Sequence, residues 1–112
     1  MKVLLILTAL LLLSCSCSKK EEELPQVHTV DVEVPQIVKE KCIMCHDVVK
    51  RKVGPSFIQV RDKYKKDPDA IKKIARSIKE GSEGKWGRIP MMPNDVTEKE
   101  ALYIADWIMS IK

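Results

Sequence analysis

Two cysteines and a histidine lie within the pentapeptide Cys42-Ile43-Met44-Cys45-His46. Two thiols three positions apart, followed directly by an imidazole, form the attachment motif of a c-type haem. The spacing suits this chemistry, because each thiol must reach one haem vinyl group while the next residue places a ring nitrogen under the iron. On a helical turn, Cys42 and His46 lie on the same face. The motif predicts one covalent haem c, with thioether bonds at Cys42 and Cys45 and with His46 as an axial ligand.

Other chemistry of a Cys-x-x-Cys pair fits the sequence less well. A structural zinc site would need a second pair of ligands, but no Cys or His follows His46. A thioredoxin-like dithiol would begin a helix after an apolar strand, whereas the charged residues 34–41 before the motif have a helical pattern. A chance match is the remaining alternative, and an export signal in the same chain argues against it.

The N-terminus has the pattern of this export signal. Lys2 precedes an apolar run over residues 3–13, and small uncharged residues separate the run from the charged residues 19–23. This order is typical of a secretory signal peptide. The run is shorter than the roughly twenty residues that span a bilayer, so a spanning anchor is the weaker alternative. We therefore predict a signal peptide at residues 1–14.

The sequence Leu12-Leu13-Ser14-Cys15 resembles a bacterial lipobox, in which cleavage precedes the cysteine and the cysteine then carries lipid. By this resemblance, Cys15 is a lipid anchor on the extracytoplasmic, periplasmic side of a bacterial membrane. Cys17 lies in a poorer version of the same context and is a second-choice site or a spare thiol. Four cysteines in an exported protein ordinarily suggest two disulfides. Here one pair is assigned to haem and the other to the signal boundary, so no disulfide is predicted.

Length and composition restrict the class of protein. The 98 residues left after removal of residues 1–14 suffice for one small domain. The formal charge of +4 falls to +3 when Lys2 is lost, and haem propionates would lower it further, so nucleic acid is not an expected partner. The five aromatic residues are few for a core of this size, and a haem would supply apolar surface in compensation.

A polar segment precedes the folded domain, which we assign to residues 34–112. Residues 15–33 are mostly charged and polar without helical periodicity, which favours a linker behind the lipid-attachment cysteine. His28 is interpreted as a solvated linker residue. A short extended arm packed on the domain is the alternative, because three valines alternate with acidic residues at the end of the segment. These valines are Val30, Val32 and Val34.

Four helices are predicted in the domain. The first has Pro35 at its first helical position and runs to about the haem motif, and the second covers residues 56–65. The third begins at Asp67-Pro68 and ends at Gly81. The fourth opens with the capping box Thr97-Glu98-Lys99-Glu100 and runs to the chain end. The apolar positions are Ile71, Ile74, Ala75 and Ile78 in the third helix and Ala101, Leu102, Ile104, Ala105, Ile108 and Met109 in the fourth.

A long loop over residues 80–94 separates the last two helices, and its three glycines and two prolines exclude a helix. A loop of this length in a compact domain is expected to have a function. A c-type haem that only transfers electrons usually has a thioether as its second axial ligand. The loop offers Met91 and Met92, whereas Met109 on an apolar helix face is expected to fill the core. We predict that one of the two loop methionines ligates the iron, and the local pattern leaves the choice open.

Several motifs follow one another along residues 34–112. They are Cys42-Ile43-Met44-Cys45-His46, Val53-Gly54-Pro55, Gly81-Ser82 with Gly84, Trp86-Gly87, Ile89-Pro90-Met91 and Pro93-Asn94. With these motifs the chain resembles a small bacterial class I cytochrome c of the cytochrome c-551/c-552 type. The resemblance implies an all-α fold of three to five helices wrapped around one covalent haem c. It also implies Met91 as the second ligand beside His46, a carbonyl of Pro55 that accepts the other His46 N–H, and a Trp86 that donates to a haem propionate.

The chain departs from the family pattern at a few positions. Arg88 and Met92 stand where the family has proline, and Ser77 stands where it often has a propionate-binding arginine. Arg76 and Arg88 are the candidates to take over that contact.

The ligand set predicts an electron carrier and not an enzyme, because protein fills both axial positions and iron changes valence without binding substrate. The expected partners are a quinol-oxidising complex or similar donor and a terminal oxidase or reductase of the membrane respiratory chain. Some of five lysines are expected to surround the exposed haem edge. They are Lys39, Lys41, Lys50, Lys52 and Lys85. Two alternatives stay open: a haem enzyme or gas sensor with displaceable Met91, and a haem-free thiol lipoprotein.

Overall fold

The computed structural model describes residues 30–112, so the predicted signal peptide, Cys15, Cys17 and His28 lie outside the described residues. Within that range the chain forms four helices and no strand, which confirms the all-α prediction. The helices are α1 (Gln36–Lys41), α2 (Phe57–Tyr64), α3 (Ala70–Glu80) and α4 (Glu98–Ser110). No helix in residues 30–112 is long and apolar enough to cross a membrane.

Short polar signals set where the helices begin. Thr97 opens α4 with the predicted capping box, in which its hydroxyl accepts from the Glu100 N–H and the Glu100 carboxylate accepts from the Thr97 N–H. Ser56 and Gln59 form a second capping box at α2, which the sequence analysis does not identify although the spacing is the same. Pro35 caps α1 with an extended ψ of 147° and lies one residue before the helical position predicted for it.

The core forms where α4 packs against α3 and, over a smaller area, against α2. Its helical members are mostly those predicted, and they include Ile74, Ala75, Ile78, Ala101, Ile104, Ala105 and Ile108. One assignment to the apolar faces is corrected, since Leu102 is 37 % exposed, whereas Ile71 is partly buried against the core. Leu102 follows Ala101 by about 100° around the helix axis, which takes it to the edge of the buried stripe. Met109 is partly buried against the core, as expected.

Residues 30–34 form an arm that packs on the domain. Val32 and Val34 pack against the core, and the indole N–H of Trp107 donates to the Glu33 carbonyl over 3.1 Å. The same indole meets the ring of Phe57 edge to face, with 5.1 Å between ring centroids. The packed arm, which was the less favoured interpretation, therefore describes residues 30–34. The rest of the predicted linker lies outside the described residues.

The loop between α3 and α4 contains no helix, as predicted; one backbone pairing closes the loop on itself, and its end is bonded to α3. Ser82 and Met91 form an antiparallel bridge of two backbone hydrogen bonds, 3.0 and 2.8 Å long. Further along, the backbone N–H and the side-chain amide of Asn94 both donate to the Ile78 carbonyl, over 3.0 and 3.1 Å. These bonds hold Met91 in place although it belongs to no helix.

Candidate functional site

A cavity of about 500 Å³ lies among the Cys-x-x-Cys-His segment, the last three helices and the long loop. Its volume falls within the roughly 300–1,000 Å³ of small-molecule and cofactor sites. The wall is largely apolar and includes Phe57, Val60, Ile74, Ile78, Ile104 and Ile108. The fold brings all the candidate haem-site residues to this one wall. They are Cys42, Cys45, His46, Pro55, Trp86 and Met91.

The imidazole of His46 is oriented by the segment nine residues further on. Its Nδ1 lies 2.7 Å from the Pro55 carbonyl oxygen, the partner that the resemblance implies. Because a carbonyl oxygen can only accept, this contact places the proton on Nδ1 and leaves the lone pair of Nε2 free for a metal. Phe57 stacks on the ring with 5.5 Å between centroids. The geometry therefore leaves Nε2 as the one ring nitrogen that is free to act as a metal ligand.

Gly54 has a steric role that the sequence analysis does not assign. A Cβ atom at this position would overlap the His46 imidazole, because it would lie closer to Cε1 than side-chain carbons approach. The Gly54 N–H also donates to the Cys45 carbonyl over 2.8 Å. The motif Val53-Gly54-Pro55 marks this position in the sequence, but only the structure shows why the residue is a glycine.

The two motif cysteines occupy different environments at the end of α1. Cys42 is buried, whereas Cys45 is exposed. Burial, with a smaller contribution from the neighbouring Cys45, raises the pKa of the Cys42 thiol to about 11. The backbone N–H groups of Cys45 and His46 both donate to the Cys42 carbonyl, so the motif continues as a tight turn. This turn brings both thiols and the imidazole to the cavity wall.

The two loop methionines differ in burial. Met91 packs against the core, whereas Met92 is 71 % exposed. The close approach of Gly81 to this part of the loop also concerns Met91, because a Cβ at Gly81 would lie 2.5 Å from the Met91 carbonyl oxygen. Gly81 has φ of 80°, a left-handed conformation that glycine adopts without steric cost. Burial and backbone bonding thus favour Met91 as the thioether donor.

Two basic residues that the sequence analysis does not assign to the site hold the tryptophan segment. Arg51 Nη2 donates to the Trp86 carbonyl over 2.7 Å. Lys63 Nζ lies 4.5 Å from the centroid of the Trp86 ring and donates to the Lys85 carbonyl over 2.9 Å. No local pattern marks these residues, because the contacts join positions 22 to 35 residues apart.

The arginines considered as substitutes for the family arginine have different positions. Arg88 lines the cavity, whereas Arg76 does not and is exposed on α3. Ser77 also lines the cavity, and its Oγ accepts from Lys85 Nζ over 2.9 Å. The cation in contact with Ser77 is thus Lys85, which the sequence analysis considers only for partner docking.

The Cytochrome c family description matches residues 32–112. The chain belongs to the cytochrome c family. It is 46 % identical to cytochrome c-552 of Hydrogenobacter thermophilus over 78 residues, which cover 69 % of this chain and 80 % of that one. It is 48 % identical to cytochrome c-551 of Pseudomonas denitrificans over 71 residues, which cover 63 % and 87 %. The crystal structure of wild-type Nitrosomonas europaea cytochrome c552 matches with a TM-score of 0.62 and 44 % identity, over 63 % of this chain and 89 % of that one.

These relationships make the chain a small class I cytochrome c of the c-551/c-552 type with one covalently bound haem c. It is an electron-transfer protein that interacts with redox partners and not an enzyme, as predicted, and its location is extracytoplasmic. The residues present fit this cofactor. A largely apolar cavity of suitable volume carries two thiols and an imidazole with a free Nε2.

Replacing Gly54 by alanine tests whether its lack of a side chain keeps His46 in place. The added methyl group must displace the imidazole, and overpacking of this kind costs typically about 1–3 kcal/mol. We expect a lower free energy of unfolding in denaturant titrations and an altered visible spectrum of the haem protein.

The matched control is Gly84→Ala. Gly84 lines the cavity, and a Cβ there meets no protein atom within 4 Å, but φ is 71°, so backbone strain should lower stability by about 1–2 kcal/mol. The spectrum should stay unchanged in this control. An unchanged spectrum in Gly54→Ala as well would contradict the steric role.

Proposed function

We propose that this protein is a one-electron carrier whose haem iron is ligated by His46 and Met91, and that it works at a bacterial membrane. The observation that carries this proposal is the pairing of an oriented imidazole with a half-buried thioether on the wall of one cavity. An imidazole and a thioether are the axial pair of cytochromes c and raise the reduction potential. The bound haem supplies the one-electron iron couple.

The protein residues each have a separate task in this proposal. Cys42 and Cys45 anchor the cofactor covalently, so orientation does not depend on axial bonds alone. Pro55 holds the proton of His46 on Nδ1 and keeps Nε2 aimed as a donor. The apolar wall excludes water, and Met91 is held by its backbone bonds to Ser82. A site held this firmly changes little between oxidation states, which suits electron transfer.

Replacing each loop methionine separately by alanine tests which of them is the second iron ligand. We expect Met91→Ala to lose the sulfur-to-iron absorption band near the red end of the visible spectrum. Its reduction potential should fall by a substantial part of the roughly 0.8 V range that axial ligands span. Met92→Ala is the control and should keep both properties, because Met92 is largely exposed. Absorption spectra and potentiometric titration are the measurements.

Ready binding of carbon monoxide by the unmodified protein would instead favour a haem enzyme or gas sensor.

We further propose a lipid anchor on Cys15. Residues 1–14 would be removed as the signal peptide, and residues 15–29 would connect the lipid to the arm that begins the described part of the domain. The support is the lipobox-like sequence before Cys15 together with the requirement of covalent haem attachment for export. A tether would keep the carrier at high local concentration beside membrane partners.

Serine replacement tests this anchor. Cys15→Ser should move the protein from the membrane fraction to the soluble fraction and remove the lipid mass from its N-terminal peptide. Cys17→Ser, two residues away, should leave both unchanged. Fractionation and mass spectrometry are the measurements. Retention of the Cys15→Ser protein in the membrane would exclude the anchor, and release by Cys17→Ser alone would move it to the second cysteine.

For partners, we propose a quinol-oxidising complex or similar donor and a terminal oxidase or reductase as acceptor, both in the membrane respiratory chain. Lysines exposed around the haem-attachment and tryptophan segments support charge-steered docking. They are Lys39, Lys41, Lys50, Lys52 and Lys85, and all five are exposed. Such encounters are weak and brief, and salt screens them.

The lysines that do not line the cavity give a clean test of docking. Alanine at Lys39 or Lys50, whose side chains make no hydrogen bond to the described residues, should slow reduction by a purified quinol-oxidising complex several-fold at low salt and have little effect at high salt. Lys72→Ala on the exposed face of α3 is the control and should not slow it. Equal rates for all variants at low salt would remove these lysines from the docking surface.

A further inference from the structure

The charged side chains on the cavity wall are all positive. Among the described residues, the charged side chains that line it are Lys41, Arg51, Lys85 and Arg88, and no Asp or Glu lines it. An apolar cavity with one sign of charge at its wall favours a ligand with an apolar body and anionic groups. Haem has this form, because its flat macrocycle carries two carboxylates.

Two of these cations, Arg51 and Lys85, are held by side-chain hydrogen bonds to other described residues, and the two bonds differ in kind. Arg51 donates to the Trp86 carbonyl and so braces the loop. Lys85 donates to a hydroxyl, Ser77 Oγ, and makes no other hydrogen bond to the described residues. An ammonium has three N–H donors, and a hydroxyl that accepts one bond can still donate its own hydrogen. Lys85 and Ser77 therefore offer a free cation and free donors side by side on the cavity wall.

Two further contacts fix this pair in place. Lys63 donates to the Lys85 carbonyl, and the same ammonium lies over the ring of Trp86. The indole N–H of Trp86 has no protein partner among the described residues, and Trp86 lines the same cavity. Lys85, Ser77 and Trp86 thus present three kinds of donor to one cavity, and no Asp or Glu of the described residues lines it.

We propose that Lys85, held beside Ser77, supplies the positive charge that binds a carboxylate of the haem. This inference rests on the haem site proposed above and assigns a new residue to it. Lys63 is a positioning residue, because it acts by holding the backbone of Lys85. The other titratable side chains on this wall are Tyr64 and the haem-attachment residues Cys42, Cys45 and His46.

A cation beside the carboxylate should lower the pH at which the carboxylate ionises. An adjacent opposite charge typically lowers a carboxyl pKa by about 1–3 units. An ionised carboxylate stabilises ferric iron, so the reduction potential falls as pH rises through this ionisation. Loss of the cation should therefore move the fall in potential to higher pH, by about one unit or more.

The experiment measures reduction potential against pH for holoprotein variants at positions 77, 79 and 85. The unmodified protein must first show covalent haem and the sulfur-to-iron band, so failure of the proposed haem site is recognised before any variant is compared. Lys85→Met should move the fall in reduction potential to a pH higher by about one unit or more. In Lys85→Arg this pH should stay near that of the unmodified protein. Lys79→Met removes an equal charge from the exposed face of α3, away from the cavity, and should not move it.

Ser77→Ala separates carboxylate binding from simple bracing of the loop. This variant removes the hydroxyl contact but keeps the charge of Lys85. It should therefore shift the pH at which the potential falls by less than Lys85→Met does. If Lys85→Met behaves like Lys79→Met, the inference is wrong. It is also wrong if Lys85→Met and Ser77→Ala lower stability equally and neither moves the fall. Lys85→Gln replaces Lys85→Met if the methionine variant does not incorporate haem, and the same outcomes apply.

Discussion

The contact between His46 Nδ1 and the Pro55 carbonyl is the constraint on which the rest of the site depends. Thioether bonds at Cys42 and Cys45 can hold a haem, but they do not decide which imidazole nitrogen is free. A carbonyl 2.7 Å from Nδ1 decides this, because it requires a proton there. The residues that directly follow Pro55 support this contact. Ser56 is fully buried and caps α2, and Phe57 belongs to the core while stacking on the imidazole. A shift of the His46 imidazole would therefore disturb the start of α2.

The proposed thioether ligand, Met91, is held by a different part of the structure. Met91 belongs to no helix, so its position comes from the loop contacts with α3 and not from local helical geometry. Ser82 pairs with it, and Asn94 returns the chain to the Ile78 carbonyl. Because α3 packs most extensively against α4, the loop is attached to the most strongly buried pair of helices. The imidazole and the thioether are thus held by separate segments that share one core.

Charge at the cavity is organised through backbone contacts. Arg51 and Lys63 donate to consecutive carbonyls, those of Trp86 and Lys85, so cations from outside the loop fix its conformation. The Lys85 side chain is left to contact Ser77 and the cavity. All charged side chains that line the cavity in residues 30–112 are positive, which suits a cofactor that carries carboxylates. Substitutions at Arg51 or Lys63 should therefore act through loop position more than through charge.

The sequence by itself determined the chemistry of attachment and most helix positions, because both depend on contacts between near neighbours. The Cys42-to-His46 motif and the capping box at Thr97 extend over only five and four residues. Tertiary structure alone decided the roles that join distant segments. Alternating valines fit either a linker or an arm, and only contact with the core and the Trp107 indole shows that residues 30–34 are an arm. Local pattern could not separate Met91 from Met92, since both have proline neighbours, whereas burial differs once the loop is tied to α3. Likewise, the contacts of Lys63 and Lys85 with the tryptophan loop and Ser77 exist only because packing brings α2, α3 and the loop around one cavity.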